Sequence, residues 1–139
     1  MRLFHVSEEE NIEVFHPRIP KRKDIKTQEG LVWAVDDKRL PNFLTPRNCP
    51  RVTYHINSMT TDLDIKKFIS SDYTSHVLVI ENKWFETMKN TLLYIYEFDI
   101  TNFVLQDEIA GYYVSKISQK PIAKYKIVDL FAELFKRNV

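Results

Sequence analysis

The chain reads as an α+β fold: a mixed, mostly antiparallel sheet with about three short helices. Three observations predict it. Short apolar runs of strand length recur along the sequence, at Arg2–Val6, Leu31–Val35, His76–Glu81 and Leu92–Phe98. Capped stretches with helical spacing of apolar residues are few and short. Nine Phe, seven Tyr and two Trp supply the large side chains that suit a sheet packed against a few helices. At 139 residues and 44% apolar, a single domain over residues 1–139 with one core is the simplest organisation.

Arg2–Val6 is a short buried strand by content, because Leu3, Phe4 and Val6 need a core to cover them. Ser7-Glu-Glu-Glu10 has the spacing of a capping box, with Ser7 as cap and Glu10 three residues on. His16-Pro17 closes the stretch that follows. Residues 17–29 hold two prolines and the basic run Lys21-Arg22-Lys23, and read as a polar loop. Leu31–Val35 is continuously apolar and therefore reads as a central strand. Asp36-Asp37 signals a helix start that Pro41 cuts short. Pro41, Pro46 and Pro50 make the next segment stiff and irregular. Arg51–Ile56 alternates, with Val52, Tyr54 and Ile56 on one face and Arg51, Thr53 and His55 on the other, as a half-exposed strand does.

Thr61–Ser70 reads as a helix capped by Thr61, with Asp62 and Asp64 at its positive end and Leu63, Ile65, Phe68 and Ile69 on its apolar side. His76–Glu81 is a further buried strand, and Asn82 is placed to cap a helix that turns Trp84, Phe85 and Met88 inward. Leu92–Phe98 is a long aromatic strand, Phe103–Leu105 a stub, and Gly111–Ser115 and Pro121–Ile127 the last two strands. Asp129–Lys136 closes the chain as an amphipathic helix with Leu130, Phe131, Leu134 and Phe135 inward.

Composition excludes several classes. Only Gly30 and Gly111 occur, which argues against Gly-rich phosphate loops. The net charge of +1 creates no field to recruit nucleic acid or an anionic membrane. The lone Cys49 permits no intrachain disulfide and fits a reducing compartment. The apolar run at the start is too short for a signal peptide, and no segment reaches the roughly 20 apolar residues needed to cross a bilayer. A cytoplasmic protein is expected. The four histidines lack paired ligand spacing, so no metal site is assigned.

Candidate site residues are nevertheless present. His5 and Ser7 share one face of their strand, where they can hold a ribose or a carboxylate, or simply satisfy one another on a wet face. Arg18, Arg47 and Arg51 sit beside proline-stiffened backbone, suited to gripping phosphate or to tying loops together. Cys49 lies between Arg47 and Arg51; these either activate the thiol or flank a buried, inert one. Tyr112 and Tyr113 follow Gly111, and on a strand they face opposite ways, as ring-stacking surface or as core.

Nearly the whole chain resembles a family of small uncharacterised bacterial proteins, through Met1-Arg-Leu-Phe-His-Val-Ser-Glu-Glu9, Gly30-Leu-Val-Trp-Ala34, Leu40-Pro-Asn-Phe-Leu44, Pro46-Arg-Asn-Cys-Pro-Arg-Val52, Tyr96-Glu-Phe98 and Gly111-Tyr-Tyr-Val-Ser115. That resemblance implies no activity. A second likeness is to the ADP-ribosyltransferase superfamily, carried by Leu3-Phe-His-Val-Ser7, Leu31–Val35 and Tyr113-Val-Ser115. It implies an NAD cleft in which His5 and Ser7 bind ribose, Tyr112 or Tyr113 lies near the nicotinamide, and Arg47 and Arg51 are further cofactor-binding candidates. The acid that those enzymes place near a late strand has no clear counterpart; Glu108 is the nearest candidate catalytic residue, with Asp107 behind it. Binding of NAD or a related nucleotide, with slow or absent turnover, is the expectation. The alternative is a non-enzymatic module that contacts protein or nucleic acid through the Arg47–Arg51 segment and the Lys21–Lys23 loop.

Overall fold

The computed structural model describes residues 1–21 and 29–139. Most of the expected polar loop, including Arg22 and Lys23, lies outside the described residues. Six strands form the main sheet: β1 (Leu3–Ser7), β2 (Val32–Asp36), β5 (Leu93–Phe98), β6 (Val104–Asp107), β7 (Tyr112–Ser115) and β8 (Ala123–Ile127), in the order β6-β7-β2-β1-β5-β8. A separate two-stranded ribbon pairs β3 (Arg51–His55) with β4 (His76–Ile80). Every described pairing is antiparallel. The helices are α1 (Asp62–Phe68), α2 (Phe85–Asn90) and α3 (Leu130–Lys136), joined by 3-10 turns at Leu40–Phe43 and Asn82–Trp84. This is the α+β fold that the sequence predicts. β1 and β2 both lie inside the sheet, which explains why the Leu31–Val35 run does not alternate apolar with polar.

The sheet is buried on both faces because strand residues alternate between two clusters. Phe4, Val35, Leu93 and Ile95 pack with Met88 of α2, Leu130 and Leu134 of α3, and Leu40 and Leu44. Leu3, Val32, Ala34, Tyr94, Tyr96 and Phe98 face the other way and are covered by Phe15 and Phe103. Phe15 is seated edge-on against Tyr96 and Phe98 and held by reciprocal backbone hydrogen bonds with Gln119. The Tyr96 hydroxyl donates to the Glu9 carbonyl (2.5 Å) and accepts from the Ile12 amide (3.2 Å), tying the segment after β1 to this face.

Several local expectations are corrected. Residues 8–16 form no helix; Ser7 Oγ accepts from the Glu9 amide at 3.1 Å, two residues on, so Ser7 closes a turn and makes no capping box. Asp36 accepts from the Arg39 amide (2.8 Å) and leads only into the short 3-10 turn that starts before Pro41. Asn82 makes no side-chain cap, and Phe85 is half exposed. The apolar side of α1 also stays open: Leu63 and Phe68 are exposed, although Thr61 does cap the helix.

β3 alternates as expected, but its apolar residues point outward. The register pairs Val52 with Val79 and Tyr54 with Val77, and sets Arg51 and Thr53 opposite Ile80 and Leu78. Leu78 and Ile80 reach the core, so the ribbon's inner face is polar on β3 and apolar on β4.

Candidate functional site

β1 and β2 are paired at one end only, where Leu3 faces Asp36 and Phe4 faces Val35. Beyond that, His5, Val6 and Ser7 pair with β5 alone, and Val32 and Trp33 with β7 alone. The strands part there, and a cavity of about 540 Å³ opens between them. Parting would leave backbone groups without partners. One is satisfied by a side chain: His5 Nδ1 donates to the Trp33 carbonyl at 3.0 Å. A carbonyl only accepts, so Nδ1 carries the proton and Nε2 of the neutral ring is an acceptor. Burial pushes the His5 pKa down, aided by Arg18 and opposed by the Trp33 hydrogen bond and by Glu9. His5 is thus a neutral ring at pH 7 with one free acceptor.

The cavity's far wall is aromatic. Trp33 meets Tyr112 edge-on at 5.5 Å, and Tyr112 meets Phe43 at 5.7 Å. All three line the cavity, and the Trp33 indole N–H is sealed from solvent without an acceptor among the described residues. An unused buried donor is costly.

Cationic groups come from two directions. Arg18 is carried beside β2 by reciprocal backbone bonds to Leu31 (3.0 Å each). Arg47 is exposed on a turn closed by the Cys49 amide and the Pro46 carbonyl, with Asn48 in the left-handed region (φ 63°). Arg51 donates through Nε to the Asn42 carbonyl (2.8 Å) and lies over the Phe43 ring at 5.6 Å, which fixes its direction. Arg18, Arg47 and Arg51 all line the cavity, as do His5, Ser7 and Tyr112.

Two predicted residues lie elsewhere. Tyr113 turns to the opposite face beside Ala34 and packs against the second core cluster. Glu108 is exposed in the turn between β6 and β7 and does not line the cavity; its neighbour Asp107 accepts from the Ala110 amide. Among the described residues, the carboxylates at the cavity are Glu8 and Glu9, directly after β1. Sequence reasoning read them as part of a cap, although their position past His5 and Ser7 was the available signal. Trp33 and Phe43 were also missed as site residues, because a strand core and a Pro-rich turn both account for an aromatic without a ligand.

Of the two readings of Cys49, the structure shows the buried one. Its environment raises the thiol pKa, burial outweighing the lowering by Arg51, so the thiol is poorly reactive. Among the described residues, no three His, Cys, Asp or Glu side chains are grouped to hold a metal ion, and no helix is long and apolar enough to cross a membrane.

No curated protein and no solved structure matches the chain. A family model does, over residues 4–139, under the description family of unknown function (DUF6886). The small uncharacterised family that the sequence motifs resemble is thereby identified: this chain belongs to the family of unknown function DUF6886.

Proposed function

We propose that the cleft between β1 and β2 binds NAD or a related nucleotide, as an ADP-ribosyltransferase-like domain whose chemistry is slow or absent. The observation that carries this reading is the meeting of three kinds of group in one cavity: the His5 acceptor with Ser7, the Trp33–Tyr112–Phe43 wall, and Arg18, Arg47 and Arg51. A nucleotide has a part for each, with ribose hydroxyls to donate to Nε2, a flat ring to stack, and phosphates for guanidinium groups. Glycosidic cleavage of NAD develops positive charge on the ribose, which a fixed carboxylate must meet. Glu108 lies outside the cavity lining, and this supports binding with little turnover.

Thermal unfolding across a panel of NAD, ADP-ribose, AMP and ATP tests the reading. At a hundredfold excess over the dissociation constant, a bound nucleotide adds about 2.7 kcal/mol of stability. Arg47→Ala removes an exposed side chain and should abolish most of the shift at little cost to the unliganded protein. Melting curves unmoved by every nucleotide would refute it.

A specific observation favours one further reading, a protein-binding module. Val52, Leu63, Phe68 and Val79 are exposed together on the ribbon and α1. That reading needs no cleft lined by guanidinium groups, so nucleotide binding is preferred.

A further inference from the structure

Besides Leu78 and Ile80, the inner face of the β3–β4 ribbon carries two histidines that nothing in the cleft employs. His55 and His76 are direct cross-strand partners, their rings 5.5 Å apart and tilted by 37°. His76 is buried and His55 half-buried, yet Nε2 of each is sealed from solvent without a hydrogen-bond partner among the described residues. His76 Nδ1 is engaged with Ser75 Oγ at 2.8 Å. Two sealed ring nitrogens are tolerable while both rings are neutral. Protonating either ring creates a buried cation next to a second ring that can also charge, and only the Lys38 backbone, beside His76, offers the new donor an acceptor.

The surrounding charges do not relieve this. Arg39, in the turn after β2, disfavours the charged form of both rings; Asp36 favours that of His55, but its carboxylate already accepts from the Arg39 amide. The Lys38 backbone favours charged His76, and Asp64 of α1 shares a surface groove with His55. Burial is the largest influence on both rings and pushes both pKa values down.

We propose that the His55–His76 pair is an acid-sensitive latch: neutral, it leaves the β3–β4 ribbon packed on the core through Leu78 and Ile80; protonated, it drives the ribbon off. The consequence reaches the cleft, because Arg51 is the first residue of β3 and the Arg47–Arg51 stretch is one cavity wall. Acid therefore opens the cleft from the ribbon side, whatever the cleft binds.

Amide hydrogen exchange on the full chain, corrected for the intrinsic pH dependence of exchange, tests the latch. Between pH 7.5 and 5.5, protection of residues 51–55 and 76–80 should fall by ~tenfold or more, since each histidine that titrates with opening contributes up to a factor of about ten per pH unit. β1, β2 and β5 should lose less protection than the ribbon, by no more than the fall in global stability read from urea midpoints. The double variant His55→Phe/His76→Phe retains two rings without titration and should show no such loss. Unchanged protection in the native protein, an equal acid loss in the double variant, or a loss as large in β1, β2 and β5 as in the ribbon would each overturn the proposal. If the double variant fails to fold, nuclear magnetic resonance titration of the native rings decides. Both must titrate below 6.5 and in step with the opening; either ring titrating at 6.5 or above overturns the latch.

Discussion

His5 shows how a single side chain sets the chemistry of the cleft. Because Nδ1–H is committed to the Trp33 carbonyl, the ring presents an acceptor and selects a ligand that donates. The same bond makes His5 structural, a role that the shared strand face of His5 and Ser7 did not reveal. His5→Ala should cost about 1–3 kcal/mol in the unliganded protein, since it leaves a buried carbonyl unpaired and a hole beside Phe15. His5, His55 and His76 all have folded pKa values below the unfolded value. The folded state therefore binds fewer protons: stability is fully present above about pH 6.5 and is lost as pH falls below it. Urea midpoints measured from pH 8 to pH 5 should decline only on the acid side. Gly111 is equally constrained. Its φ is 69°, and a Cβ there would collide with Arg39 Cβ and Cγ and with Asp36 Oδ1. Gly111→Ala should destabilise by ~2 kcal/mol or more through left-handed strain and the collision together, read as a lowered denaturation midpoint.

At the scale of elements, the segment after β1 is held by side-chain hydrogen bonds more than by regular structure. Tyr96→Phe leaves the Ile12 amide and the Glu9 carbonyl without their partner and should cost about 1–2 kcal/mol, with faster exchange confined to residues 9–15. The strands were legible because apolar runs such as Leu31–Val35 and Leu93–Phe98 leave no other way to bury themselves, and Thr61 caps the helix it was expected to cap. The orientation of β3 was not legible. Alternation shows that Val52 and Tyr54 share a face but not which face meets the core, and that is decided by Leu78 and Ile80 on its partner. The segment Ser7–Glu10 misled because a cap and a turn use the same hydroxyl, and only the distant Tyr96 decides between them.

For the molecule as a whole, the cleft exists because two central strands stop pairing halfway, and no local pattern announces that. His5, Ser7, Tyr112, Arg47 and Arg51 were readable as residue types suited to a nucleotide, whereas their convergence with Trp33, Phe43, Glu8 and Glu9 depends on the strand order. Trp33 also offers the most direct test that this cavity is a nucleotide site. Replacing Trp84, which lies in the 3-10 turn before α2, by Phe leaves Trp33 as the single tryptophan, in the cavity wall. Titration of Trp84→Phe with NAD and with ADP-ribose, followed by indole emission, should give a saturable change that Arg47→Ala shifts to higher ligand concentration. Emission that stays constant to millimolar nucleotide, in a protein whose circular dichroism is unchanged, would contradict the account.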